Sequence, residues 1–172
     1  FKPRVLDDAY DIELLAKTEN SPIRLALDEI KDLLFVSTYT TAVNGQYSGS
    51  IFSLPTTTTD KVIVTPTLAA HSPVLYRPFG LACYQGDLFV SRAGHAANTN
   101  NGNIEYLDQG AVTQLKDLDS DGSFEYFHDV LTGIPAARGP DTMHQNNGIV
   151  FDGEGNLFVA VGSNDDRTLD QH

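Results

Sequence analysis

Pro78-Phe79-Gly80-Leu81-Ala82-Cys83, then Gln85-Gly86-Asp87, then Leu88-Phe89-Val90-Ser91 is the stretch that decides the fold, because its pattern occurs three times in the chain. Upstream, Pro22-Ile23-Arg24-Leu25-Ala26-Leu27 leads through an acidic turn to Leu34-Phe35-Val36-Ser37. Downstream, Asn147-Gly148-Ile149-Val150-Phe151 leads through Asp152-Gly153-Glu154-Gly155 to Leu157-Phe158-Val159-Ala160. Each copy is an apolar run, a turn built of Gly or Asp, and a second apolar run, which reads as a strand hairpin. Phe35 and Phe89 are 89 − 35 = 54 residues apart, and Phe89 and Phe158 are 158 − 89 = 69 apart. That is a loose period, but it still marks a repeat architecture. Gly49-Ser50-Ile51-Phe52-Ser53-Leu54 and Gly102-Asn103-Ile104-Glu105-Tyr106-Leu107 supply a second register mark.

One copy argues locally for something else. Ser21-Pro22 followed by Ile23, Leu25, Leu27, Ile30, Leu33 and Leu34 has the spacing of a capped amphipathic helix. Its counterparts carry Gly80, Gly86, Gly148, Gly153 and Gly155, which disfavour a helix interior. The repeat therefore predicts strand, turn, strand here too.

Units of short strands with a Gly- or Asp-bearing turn per hairpin are the sequence mark of β-propeller blades. The expected class is all-β, with an N-terminal strand over 10–16, a blade over 20–68, a blade over 76–131 and an incomplete blade over 141–172. Closed propellers need four to eight blades. About two and a half are present, so the remaining blades are expected from a longer chain or from another one.

The composition is compatible with such a core. The chain has 172 residues, 41% hydrophobic and 20% charged, which is globular and not disordered. With 11 Lys plus Arg against 23 Asp plus Glu, the net charge of −12 repels phosphate backbones and anionic lipid, which argues against nucleic acid or a membrane surface as partner. No apolar run is long enough to span a bilayer. A single Cys makes no internal disulfide and no thiolate zinc site. The start at Phe1, with no basic-then-apolar leader, is expected to reflect processing or trimming. Gly-x-Gly-x-x-Gly, Gly-x-Ser-x-Gly and Walker patterns are absent, so Rossmann, serine-hydrolase and P-loop chemistry find no support.

Asp117-Leu118-Asp119-Ser120-Asp121-Gly122-Ser123-Phe124-Glu125 is the most specific local motif. Carboxylates at alternate positions, a Gly that permits the turn and the Ser123 carbonyl gather hard oxygen ligands around one point, as Ca²⁺ requires. The helix-flanked version of this loop has Glu at its twelfth position, where His128 stands here, so Glu125 or Asp129 must complete the shell. The alternative is a plain acidic hairpin turn. In a propeller this turn lies on the rim opposite the one that carries 141–146, where a Ca²⁺ ion would be structural. On that other rim His144, followed by Gln145, Asn146 and Asn147, is placed to take a proton from a substrate hydroxyl. The alternative for His144 is a surface hydrogen-bonding residue. His95 and the Asn-rich stretch after it read as a solvated loop on the same rim, Cys83 as a small buried residue, and Thr56 to Thr59 as a polar turn.

From His144 onward, His144-Gln145-Asn146-Asn147-Gly148-Ile149-Val150-Phe151, the Gly153-Glu154-Gly155 turn, Leu157-Phe158-Val159 and Val161-Gly162 resemble the soluble quinoprotein glucose/sorbosone dehydrogenase family. Asp-x-Asp-x-Asp-Gly followed by Asp141-Thr142-Met143-His144 is also similar to a broader group of dehydrogenases of that propeller superfamily. The resemblance implies a six-bladed propeller binding pyrroloquinoline quinone (PQQ) and Ca²⁺ over its channel. It implies oxidation of a sugar hydroxyl or hemiacetal, with His144 as general base and hydride passed to the quinone. Gln145, Asn146 and Asn147 would lie against the quinone, a cytochrome would accept the electrons, and the protein would work outside the cytoplasm, in a periplasm or secreted. This sequence departs from the glucose-oxidising members at Met143, where they place Asp, and at Gly148, where they place Arg. Neither Arg138 nor Arg167 stands where the family's quinone-clamping cations do. Two other readings remain: a non-catalytic propeller binding a carbohydrate or a protein, and a metal-dependent propeller lactonase using Asn147 and Asn164.

Overall fold

The computed structural model describes residues 9, 14–39, 48–56, 63–93, 96–98, 104–106, 110–134 and 146–162. Its regular elements are all strands apart from one 3-10 turn over Pro73–Leu75. The first sheet runs β1 (Pro22–Asp28), β2 (Leu33–Tyr39), β3 (Gly49–Pro55), β4 (Thr67–Ser72) in simple antiparallel order. The helical spacing of Ser21 to Leu34 thus gives way to a hairpin. The Asp28 carboxylate closes its turn by accepting the Ile30 and Lys31 amides through Oδ1 at 3.0 and 3.1 Å, and Asp32 takes a left-handed φ of 53°. A side chain that bonds its own downstream amides offers the backbone an alternative to the helix.

The second sheet repeats the arrangement with β5 (Pro78–Tyr84), β6 (Asp87–Arg92), β9 (Gly110–Lys116) and β10 (Tyr126–Ile134), β5 innermost and β10 at the outer edge. Gln85 and Gly86 join β5 to β6 with φ of 53° and 82°, the two left-handed positions of a tight hairpin turn. A separate small hairpin, β7 (Ala96–Asn98) with β8 (Ile104–Tyr106), is inserted between β6 and β9. Here the structure corrects the second register mark. Gly49 to Leu54 belongs to the third strand of the first sheet, but Gly102 to Leu107 spans β8, and the third strand of the second sheet is β9. An inner strand of stacked sheets is buried on both faces. Ala111, Val112, Thr113 and Leu115 of β9 meet that demand, whereas the 102–107 sequence interrupts its apolar residues with Asn103 and Glu105. A final hairpin, β11 (Asn146–Phe151) with β12 (Leu157–Val161), begins the third unit. Of the expected N-terminal strand, residues 10–13 lie outside the described residues; Ala16 forms an isolated parallel bridge with Val64.

The sheets stack face to face with side chains alternating between two cores. Leu81, Leu88, Val90 and Leu115 of the second sheet meet Phe35, Ile51, Ala69 and Leu75 of the first unit. The next residue along β6, Phe89, points the other way with Val112 and Ile134, onto Ile149, Phe151 and Leu157 of the final hairpin. Phe151 stacks on Tyr84 at 4.6 Å and meets Phe89 edge-on at 4.7 Å. Close approach is required at Gly49, where a Cβ would collide with the Leu75 carbonyl oxygen. This is an all-β stack of antiparallel sheets, part of a β-propeller in architecture. Among the described residues no helix is long and apolar enough to cross a membrane.

Candidate metal site

The acidic motif occupies the turn between β9 and β10, at the end of the sheets shared by the β5–β6 turn and the β11–β12 turn. Lys116, the last residue of β9, pairs with Asp87 at 3.1 Å, and Gly155 of the β11–β12 turn abuts the Tyr84 hydroxyl. The turn's own amides shape it. Asp121 and Gly122 donate to Asp117 at 3.2 and 3.1 Å, Ser123 donates to Asp121 Oδ1 at 2.7 Å, and Leu118 donates to Glu125 Oε2 at 3.0 Å. Ser120 and Gly122 supply left-handed φ of 62° and 95°. The result is a cluster in which one carboxylate oxygen from each of Asp117, Asp119, Asp121 and Glu125 lies within 4.8 Å of the others. Ligands about 2.4 Å from a common centre are at most about 4.8 Å apart, so the oxygen donor set fits a Ca²⁺ shell. Without a cation, the convergence leaves four carboxylates in mutual repulsion at the surface.

Of the two residues considered to complete the shell, Glu125 joins the cluster and Asp129 does not. Asp129 Oδ2 accepts from Arg92 at 2.8 Å and its Oδ1 accepts from the Thr113 hydroxyl at 2.6 Å, while Arg92 Nε also donates to Thr113 at 2.9 Å. This network ties β6, β9 and β10 together around a nearly buried guanidinium. Sequence reading missed it, since its three members are 16 to 37 residues apart and only the register of the sheet unites them. Ser123 sits in the loop with its amide turned to Asp121.

The acidic loop is also a clasp between sheets. Phe124, directly after the Asp-rich run, donates its amide to the Ala69 carbonyl of β4 at 2.8 Å. Its ring lies 5.4 Å from that of Phe35 in the first sheet's core.

His144 and Gln145 lie outside the described residues, as do Asp141, Met143, His95, Arg138, Asn164 and Arg167. Asn146 and Asn147 open β11, where Asn146 pairs with Val161. That end of the strand is opposite the acidic loop, because Phe151 at the other end leads into the turn beside Tyr84. Cys83 is half-buried on β5, and burial, with the Asp28 charge second, pushes its thiol pKa up to about 12.

No family model and no curated protein matches the chain. A crystal structure from Thermus thermophilus, described as a "putative oxidoreductase (glucose dehydrogenase)", superposes with a TM-score of 0.53 at 20% identity over 87% of this chain. The likeness establishes the fold: two four-stranded antiparallel sheets and a further hairpin corresponding to part of that propeller. The chain spans 39% of the length of that structure.

Proposed function

We propose that the chain is part of a quinone-dependent dehydrogenase that oxidises a sugar or alcohol hydroxyl. The observation that supports this best is the superposition of 87% of the chain on a structure described as a glucose dehydrogenase. The residue pattern from His144 to Val161 points to the same chemistry independently. In this reading PQQ, when bound, supplies the hydride acceptor. His144 takes the hydroxyl proton as hydride leaves the same carbon, so the substrate loses two electrons and two hydrogens in one step. Gln145, Asn146 and Asn147 hold and orient the quinone beside the base. Asp117, Asp119, Asp121 and Glu125, with the Ser123 carbonyl, hold Ca²⁺ on the opposite rim, where it fixes the loop and takes no part in the reaction. The electrons then pass to a soluble acceptor such as a cytochrome, outside the cytoplasm.

The test is dye reduction by the purified protein supplied with PQQ, Ca²⁺ and a panel of aldoses. Turnover is expected, with His144→Ala lowering kcat at least about 100-fold, the usual contribution of a general base. Undiminished turnover in that variant overturns the assignment of the base. Saturable sugar binding with no turnover replaces the dehydrogenase reading with that of a binding module, and chelator-sensitive lactone cleavage replaces it with a hydrolase.

A further inference from the structure

The first strand of each unit carries the same irregularity at the same end. In β1, Pro22 pairs with Thr38 and Arg24 with Ser37, which leaves Ile23 as an extra residue. In β5, Pro78 pairs with Arg92 and Gly80 with Ser91, which leaves Phe79. In β11 the register slips between Asn146 and Ile149. Alignment of Gly148-Ile149-Val150 with Gly80-Leu81-Ala82 then puts Asn147 in the place of Phe79. A bulge re-aims a side chain, and bulges gather at rims and beside active sites. All three lie at the end of the sheets opposite the acidic loop, where His144 precedes β11 by two residues.

Phe79 is the unusual member. Along β5, Leu81 and Cys83 pack into the first core, while Ala82 and Tyr84 pack into the second. The bulge takes Phe79 out of that alternation, and it belongs to neither core. Phe35, Phe124 and Phe127 lie in the first core, and Phe89 and Phe151 in the second. Phe79 stays half-buried on a strand that packs on both sides. Its exposure is therefore not that of an uncovered end of the stack.

We infer that Phe79 is the apolar wall of a ligand site at this mouth, where its ring stacks on the flat face of a cyclic ligand. The face of an aromatic ring is electron-rich and takes either polarised C–H groups or an offset second ring. The identity of the ligand rests on the dehydrogenase reading, which offers two flat rings, a pyranose sugar and the quinone. Phe79 stands in the unit next to the one that carries Asn147, and β5 packs against β11 through Ala82, Tyr84, Ile149 and Phe151. An apolar wall on one unit and amides on the next would grip a ring by its face and its edge.

The chain contains no Trp, so Phe79→Trp in the full chain places a single indole at the site and reads binding without turnover. PQQ alone and glucose alone are the probes, and equilibrium dialysis measures the binding of each to the parent. At least one is expected to change the indole emission saturably, with the midpoint that dialysis gives, and the one that does so is the ring that stacks. Phe79→Leu keeps the apolar bulk and removes the ring. It should weaken binding of that probe about threefold to tenfold, the usual worth of an aromatic contact, and Phe79→Tyr should restore it. In turnover the loss should fall on KM and not on kcat. A probe that binds the parent but leaves the indole unchanged, or that binds Phe79→Leu as tightly as the parent, overturns the wall and leaves the dehydrogenase reading standing. Binding of neither probe to the parent overturns both.

Discussion

Cys83 shows how far a single side chain's chemistry is set by its surroundings. It sits on the innermost strand of the second sheet, partly enclosed, with the Asp28 carboxylate close by. Both burial and that negative charge oppose the thiolate, so its pKa rises to about 12. The consequence for stability has a definite sign. Above about pH 8.5, the ordinary thiol value, the unfolded chain loses this proton while the folded chain keeps it. Folding is then disfavoured progressively between that pH and about 12, and the contribution is fully present below the unfolded value. The thiolate is the reactive form, so iodoacetamide at pH 8 should leave Cys83 unmodified in the folded protein and alkylate it fully in urea. Mass spectrometry reads this directly, and rapid alkylation of the folded chain would refute the enclosed thiol. Asp152 is shifted in the opposite direction. The Asn156 side-chain amide, the Asn156 backbone amide and the other amides of the β11–β12 turn hold its carboxyl below its usual range.

At the scale of the element, the acidic loop combines two features that the sequence places side by side. The carboxylates of Asp117, Asp119, Asp121 and Glu125 converge at the surface, and the neighbouring Phe124 is inserted between the first two sheets. An ion that orders the loop should therefore hold Phe124 against Phe35 and strengthen the packing of one sheet on the other. Addition of Ca²⁺ is expected to raise Tm and EGTA to reverse the gain, with Asp119→Asn weakening the response at least about tenfold in Ca²⁺ concentration. Phe124→Ala, which empties a core position, should cost about 3–4 kcal/mol in urea unfolding. An EGTA-insensitive parent would reduce the loop to a turn. Much of this element was legible beforehand, because contiguous spacing puts the oxygens together whatever the rest of the chain does. The hairpins were legible for a similar reason: period-2 apolar runs flanking Gly or Asp turns specify pairing locally. Which strand stands third in the second sheet was not legible from Gly102 and its neighbours. That choice depends on burial on both faces, which Ala111, Val112 and Leu115 satisfy only once the first sheet and the final hairpin are in place. The Arg92–Thr113–Asp129 network was hidden on the same ground, since it exists only in the register of three strands.

For the whole molecule, the decisive feature is that both ends of the stack carry exposed apolar side chains. On the first sheet, Leu25, Val36, Phe52 and Leu68 form one cross-strand row; Val36 at its centre is buried, while Leu25 and Leu68 at its edges are 60% and 49% exposed, with Leu27 at 51%. On the final hairpin, Val150 and Phe158 are directly paired and 58% and 57% exposed. Among the described residues the first sheet packs on the second and the second on the final hairpin, so in a propeller these two ends are where further blades stack. The 39% coverage of the related structure agrees, as the rest of that propeller has no counterpart in this chain. Large apolar side chains left in water on a flat sheet face drive association. The 172-residue chain by itself should therefore bind a hydrophobic dye such as ANS and sediment as a concentration-dependent oligomer. Replacing Leu25 and Phe158 with Lys should suppress both behaviours and leave the far-ultraviolet circular dichroism unchanged, because neither side chain contributes to the two internal cores. A chain that stays monomeric and dye-free with both faces intact would mean that its own remaining residues already cover them.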